Sequence, residues 1–506
     1  MLQAHDRKFY FITLAVFLLA LSLPYAVAFR AAAPEYVFTG FLLKAEDNNT
    51  YLAKMRQGWE GSWRFRLPYV FETGPGGPVH LPYLFLGHLA RWLSLPLLAV
   101  FHAARLLAAA FLLWALNEFM AALFPPGAGR RWAFLLAAFG AGLGWVAMVA
   151  GWSSPDLWVA EIYPFLSSYT NVHFPAALGL QLFLLAPEET ALDARRAIGF
   201  GVLAALLTLV SAYSLPVVVT VWATLGVWRW ARREPSRPAF SRALLAGLSG
   251  GAVLLFHQWA IAQDPLLVSW SAQNFTPMRP LGEMLLGLLP VAALAIPGAW
   301  RALRGDATRW HLPALWLLAC QLLALAPIAV QRRFLVGYFV PLAALAMMFI
   351  GERLREVAAG RARLGLFAAA GITNLMILIT AFFVAQVHLP QAYLTTRERA
   401  AYAWLDANLP AGARLLAGPE TGLFIPAYTG LHVYYGHPHE TIDAENKLIR
   451  LNAFFAAPSF DFVEEIGAQY LFYGPRERAL GPVLQGDGLQ RVYAEAGVEI
   501  YRVAAP

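Results

Sequence analysis

Apolar runs of membrane length recur along this chain, and they constrain it more than any single motif. The first runs from about Phe9 to Phe29, and others cover about 94–124, 132–151, 172–187, 197–213, 215–231, 243–262, 281–300, 310–330, 334–350 and 364–387. A helix needs about 20 apolar residues to cross a bilayer, and only helices or closed barrels satisfy their backbone there. The expectation is a mainly α, polytopic membrane protein with about 11 transmembrane helices. Charge content agrees, because only 14% of the 506 residues are Asp, Glu, Lys or Arg, against roughly 25% in a soluble domain. The formal charge of +7 sits mostly in short loops between apolar runs. It therefore reports orientation in the bilayer and implies no nucleic-acid partner.

Arg7 and Lys8 precede the first run, which is longer than the roughly 7 to 15 residues of a signal-peptide core and reads as an uncleaved helix. Alternate loops carry Arg130–Arg131, Arg195–Arg196, Arg229 with Arg232, Arg233 and Arg237, Arg301 with Arg304 and Arg309, and Arg353 with Arg355, Arg361 and Arg363. The loops at 152–171 and 263–280 are nearly free of basic residues. The positive-inside rule then puts the N-terminus in the cytoplasm and the C-terminus outside. Two domains are expected: a transmembrane domain, 1–387, with a long first outer loop at 30–92, and a small extracytoplasmic α/β domain, 388–506. In the latter, segments of helix-like and strand-like period alternate, which predicts a mainly parallel sheet.

The chain first turns strongly polar at Lys44–Arg66, KAEDNNTYLAKMRQGWEGSWRFR. Glu46 and Asp47 fall just beyond the first span, where acids are costly beside lipid. One reading makes Asp47 or Asn48 the cap of an amphipathic helix, 49–59. The loop, rich in Trp, Tyr, Pro and Gly, is expected to hold two short interfacial helices.

Asp47 ahead of Tyr51, Gly61 with Trp63, and His80, Pro82, Tyr83 and His88 approaching the next helix resemble the first outer loop of the GT-C superfamily. These integral-membrane glycosyltransferases, among them protein mannosyltransferases and aminoarabinose transferases, take hexosyl or pentosyl groups from polyprenyl-phosphate carriers. The resemblance implies a catalytic role for Asp47, as the base that deprotonates the acceptor, with Glu46, Tyr51 and His80 lining the substrate. It also implies a polyprenyl-phosphate sugar donor, an acceptor that is a protein, lipid or glycan, and a bacterial cytoplasmic (inner) membrane. Arg332 and Arg333 break an arginine-poor side of the membrane and suit the leaving phosphate; the alternative is a snorkelling anchor to headgroups. His173, in an Asn-x-His at a helix start, is a further substrate-binding candidate, or a solvated interfacial residue.

In metal-dependent members, acids of the second outer loop join the first-loop acid around a divalent ion. Here that implies Asp156 and Glu161 as ligands of Mg2+ or Mn2+, although the loop lacks a paired Asp-x-Asp, and a capped interfacial helix anchored by Trp158 and Tyr163 explains it equally. His437, His439 and Glu440 in the C-terminal segment lack a second ligand cluster, so they read as turn and helix-start residues without catalytic work. A rival function is a transporter or flippase of a lipid-linked or small polar substrate. Against it, polar groups cluster at the outer ends of the spans, not at mid-bilayer. A third reading is an assembly protein that uses the α/β domain to bind partners.

Overall fold

The computed structural model describes residues 4–187, 191–486 and 488–504. The protein is predominantly helical and folds as two compact units. One takes in Met1–Leu23, Ala103–Phe256 and Phe275–Thr380, and the other Pro24–His102, His257–Asn274 and Ala381–Pro506. The boundary expected at 387–388 falls inside the second unit.

Six helical stretches among the described residues are long and apolar enough to cross a membrane: Asp6–Ala31, Leu97–Leu123, Ala128–Val149, Arg237–Ala262, Gln331–Arg353 and Glu356–Val387. A seventh arises if Leu281–Leu288 and Val291–Arg304, bent by 87° where they meet, count as one. That break lies at Pro290, which lacks the N–H that would continue the helical ladder. Other apolar runs fold into shorter helices, such as the 12-residue His173–Leu184 and the 14-residue His311–Ala324. At 1.5 Å per residue these fall short of a ~30 Å hydrocarbon core. The protein is therefore a multi-pass membrane protein in which several apolar runs are shorter as helices than their composition suggests.

In the second unit, the loop at 30–92 forms two helices, Ala45–Trp59 and Leu81–Trp92. They touch through backbone: a Cβ on Gly58 would lie 2.0 Å from the Leu84 carbonyl oxygen, and one on Gly87 would lie 1.9 Å from that of Met55. The Ala45–Trp59 helix also packs on helix Pro419–Thr429, so its polar Asn48, Asn49, Thr50 and Lys54 are buried. The breaker run Thr73–Pro78 is tied down by Asp264, whose Oδ2 accepts the Gly76 N–H at 2.8 Å while Oδ1 caps Leu266.

Strand β1 (Tyr36–Phe38), at the start of that loop, pairs antiparallel with β2 (Tyr393–Thr395), so the loop and the C-terminal segment share structure from the outset. Five further strands form one sheet: β3 (Arg414–Leu416), β4 (His432–Val433), β5 (Tyr470–Tyr473), β6 (Leu489–Glu495) and β7 (Val498–Val503), in the order β4-β3-β5-β7-β6. β3 runs parallel to β4 and β5, but β5–β7 and β7–β6 are antiparallel. The mainly parallel sheet expected from the sequence is thus mixed. Ala496 and Gly497 both adopt positive φ, 51° and 86°, the two-residue turn that makes β6 and β7 antiparallel. One face of the sheet packs on Tyr402, Leu405 and Phe424, the other on Leu451, Phe454 and Phe455.

Candidate active site

The Ala45–Trp59 helix starts earlier than the sequence suggests. Its N-cap is Lys44, in a left-handed conformation with φ 54°, and no side chain caps it. Asp47 therefore lies inside the first turn and is not a cap, and neither is Asn48, whose amide reaches back to the Leu43 carbonyl at 3.2 Å. An acid in the first turn lies at the positive end of the helix dipole, a favourable place for a negative side chain. The Asp47 side chain is 42% exposed, with Lys44 Nζ at 3.8 Å from one oxygen and His437 Nε2 at 3.5 Å from the other.

Tyr51 lies one turn further on the same face and stacks on Tyr83, centroids 4.5 Å apart and planes 5° from parallel. Lys54 Nζ, 5.4 Å from the Tyr51 ring centre, is fully buried and pairs with Glu440 Oε1 at 2.7 Å. Glu46 is exposed; burial first, and Glu46 second, push the Tyr435 hydroxyl above its usual range. His80 caps Leu81–Trp92 in a left-handed conformation with φ 55°, its ring edge-on to Phe65 and Trp270.

In the first unit, Glu161 gathers the arginine pair. Its Oε1 stands 3.6 Å from Arg332 Nε and 3.4 Å from a terminal nitrogen of Arg333, so one buried carboxylate oxygen is shared by two guanidinium groups. Arg332 lies over the Trp158 ring at 4.6 Å, and Arg279 approaches the same ring at 5.5 Å. The pair is presented by the short 3-10 helix Gln331–Leu335, held where Thr276 N–H donates to the Ala329 carbonyl and Arg332 N–H to that of Thr276.

Asp156 works differently. Its carboxylate is fully buried and accepts the amides of Gly142 and Gly144, at 2.9 and 2.8 Å, and the Ser154 hydroxyl at 2.5 Å. Burial pushes its carboxyl up, and the Ser154 hydroxyl and the amides act against that. Among the described residues no three His, Cys, Asp or Glu side chains gather closely enough to hold a metal ion. In this arrangement the Asp156 carboxylate faces the amides of Gly142 and Gly144, and that of Glu161 faces Arg332 and Arg333. His173 opens helix His173–Leu184 with its ring against Phe174, centroids 4.1 Å apart.

No protein-family model matches the chain, and no curated protein matches it. Solved structures do. ArnT from Cupriavidus metallidurans in the apo state aligns with a TM-score of 0.53 at 12% identity, over 97% of this chain and 99% of that one. The Archaeoglobus fulgidus oligosaccharyltransferase tethered with an acceptor peptide aligns at 0.53 and 12%, over 90% of this chain and 69% of that one. The fold is that of the GT-C glycosyltransferases. A mycobacterial arabinofuranosyltransferase, AftD, matches at 0.51 and 18% identity, where 97% of this chain covers 42% of the larger protein. The GT-C fold thus extends over nearly the whole chain, well beyond the first-loop residues that suggested it.

Two residues of interest are not legible in the sequence. Arg279 is a lone exception in an arginine-poor loop; it pairs with Glu283 at 2.9 Å, and only the structure shows it against the Trp158 ring that Arg332 also covers. His437 has the local pattern of a turn residue, because nothing in the sequence connects it to a helix nearly 400 positions earlier.

Proposed function

We propose that this chain is a glycosyltransferase that moves a sugar from a polyprenyl-phosphate-linked donor to an acceptor on the outer face of a bacterial cytoplasmic membrane. The observation that carries the reading is Asp47, a part-exposed carboxylate in a first helical turn, between Lys44 and His437, in a protein with the GT-C fold. ArnT from Cupriavidus metallidurans has also been solved bound to undecaprenyl phosphate, aligning at a TM-score of 0.52 and 13% identity. The oligosaccharyltransferase structure carries an acceptor peptide. A lipid phosphate as leaving group and a separate nucleophilic acceptor are what this reading takes over for the present chain.

In the proposed reaction an acceptor hydroxyl attacks the anomeric carbon as the bond from that carbon to the phosphate oxygen breaks. Asp47 takes the hydroxyl proton, and polyprenyl phosphate leaves with the electron pair. General-base assistance of this kind contributes roughly 10²- to 10⁴-fold. In this reading Arg332 and Arg333 hold the departing phosphate, with two neighbouring guanidinium groups able to donate charge-assisted hydrogen bonds to it. Glu46, Tyr51, His80 and His173 belong to the substrate surface in this reading, the N-terminus is cytoplasmic, and residues 388–506 are extracytoplasmic.

The test is mass-spectrometric detection of polyprenyl phosphate released from a panel of polyprenyl-phosphate sugars, with cell-derived acceptors and with or without Mg2+ or Mn2+. Turnover of one donor by the wild type, reduced at least about 100-fold in Asp47→Asn, is the expected result. Absence of turnover across the panel, or full activity of Asp47→Asn, removes the reading.

A further inference from the structure

The segment Tyr435–Thr441, whose sequence suggests no chemical part, is tied by side chains to the helix that carries Asp47. Its path is narrow: a Cβ on Gly436 would lie 2.5 Å from the Tyr69 ring and 2.6 Å from the Gly422 carbonyl oxygen. The Thr441 hydroxyl oxygen accepts the amides of Gly436 and His437, at 3.4 and 3.3 Å. His437 Nδ1 in turn accepts the amides of His439 and Glu440, at 3.0 and 3.2 Å. A ring nitrogen that accepts N–H groups carries no proton, so the neutral imidazole bears its proton on Nε2. That nitrogen is the one 3.5 Å from Asp47 Oδ1, and the His437 side chain is only 4% exposed. Glu440, three residues on, bonds Lys54 of the same helix, which fixes the distance between loop and helix independently of the histidine.

We propose that His437 is a positioning residue for Asp47. Its Nε2–H holds Oδ1 and thereby sets the direction of Oδ2, the oxygen beside Lys44 Nζ at 3.8 Å, toward which the acceptor's proton moves. The idea rests on Asp47 as the base and extends that reading to the C-terminal segment. A carboxylate in a first helical turn has several staggered side-chain conformations. A buried donor on one oxygen selects among them, and misplacing a reacting group by about 1 Å costs roughly 100-fold in rate. The 3.5 Å separation is the outer limit of a hydrogen bond, and contacts of this type tighten once substrate is bound.

Two substitutions in the full-length protein separate the two ring nitrogens. His437→Asn keeps an acceptor at the Nδ1 position and removes the donor facing Asp47. His437→Gln keeps an N–H within reach of Asp47 and removes the acceptor that shapes the loop. Positioning predicts that His437→Asn loses about 10- to 100-fold in kcat with little change in KM for the donor, and that His437→Gln retains most of kcat. Wild-type kcat in His437→Asn, or equal losses in both variants tracking a fall in thermal stability, overturns the proposal. A fully active Asp47→Asn instead removes the base itself, which distinguishes the two failures. The contact also has a readout without turnover: in protein carrying 15N-histidine, the His437 ring is expected protonated at Nε2, with a shift that moves in Asp47→Asn. A ring protonated at Nδ1, or one insensitive to Asp47→Asn, also overturns it.

Discussion

Asp47 and the arginine pair solve opposite electrostatic problems with similar means. A carboxylate near a bilayer is costly, and Asp47 lies in a first helical turn with Lys44 Nζ 3.8 Å from one oxygen and His437 Nε2 3.5 Å from the other. Two adjacent guanidinium groups repel, and Glu161 beside both lowers that repulsion. If the pair holds the leaving phosphate, Arg332→Ala and Arg333→Ala each remove a charge-assisted hydrogen bond of about 1.5–3 kcal/mol, or roughly 10- to 100-fold in kcat/KM for the donor. Lys at either position restores charge but not the two-pronged geometry and recovers only part of that. A double alanine variant with unaltered donor kinetics marks the pair as a headgroup anchor. Asp156 shows how far a residue list goes: its type and loop suggested a metal ligand, and the sequence could not say which groups of the protein would meet its carboxylate. The amides of Gly142 and Gly144 reach it because a helix break after Phe139 leaves them without helical partners.

At the scale of elements, the helix carrying Asp47 is held by contact along its length and not by a strong cap. Gly58 and Gly87 allow it to meet Leu81–Trp92 backbone to backbone. Gly87→Ala is expected to force the helices apart, at a cost of about 1–3 kcal/mol, seen as a lower unfolding midpoint in detergent together with reduced turnover. Gly251→Ala is the control, since a Cβ there meets nothing within 4 Å, and alanine favours a helix interior. Equal midpoints for Gly87→Ala and Gly251→Ala would show that the close approach is not needed. Two helices in the first loop, and the Gln490–Ala494 and Val498–Val503 strands, were legible from periodicity and turn residues. Their partners were not: the β1–β2 pairing of Tyr36 with Thr395 and the packing of Ala45–Trp59 on Pro419–Thr429 join segments far apart in sequence, which no local pattern encodes.

For the whole molecule, the proposed orientation has a direct test. The chain has one cysteine, Cys320, which is buried, so a Cys320→Ala background suits labelling. Glu495→Cys, at an exposed position on β6, is expected to react in intact cells with a membrane-impermeant maleimide, and Arg233→Cys, also exposed, only after lysis. The reverse pattern inverts the topology and moves Asp47 to the cytoplasmic side. Composition and run length by themselves determined a multi-pass helical protein, because a bilayer leaves a long apolar chain little alternative, and the residues of the first loop were enough to suggest its fold. Which apolar runs become short or bent helices, which carboxylates meet amides, arginines or a histidine, and that His437 stands against Asp47 were decided only in three dimensions. The reason is that hydrogen bonding and close packing are satisfied by whichever groups folding brings within a few ångströms, and sequence distance does not enter into that.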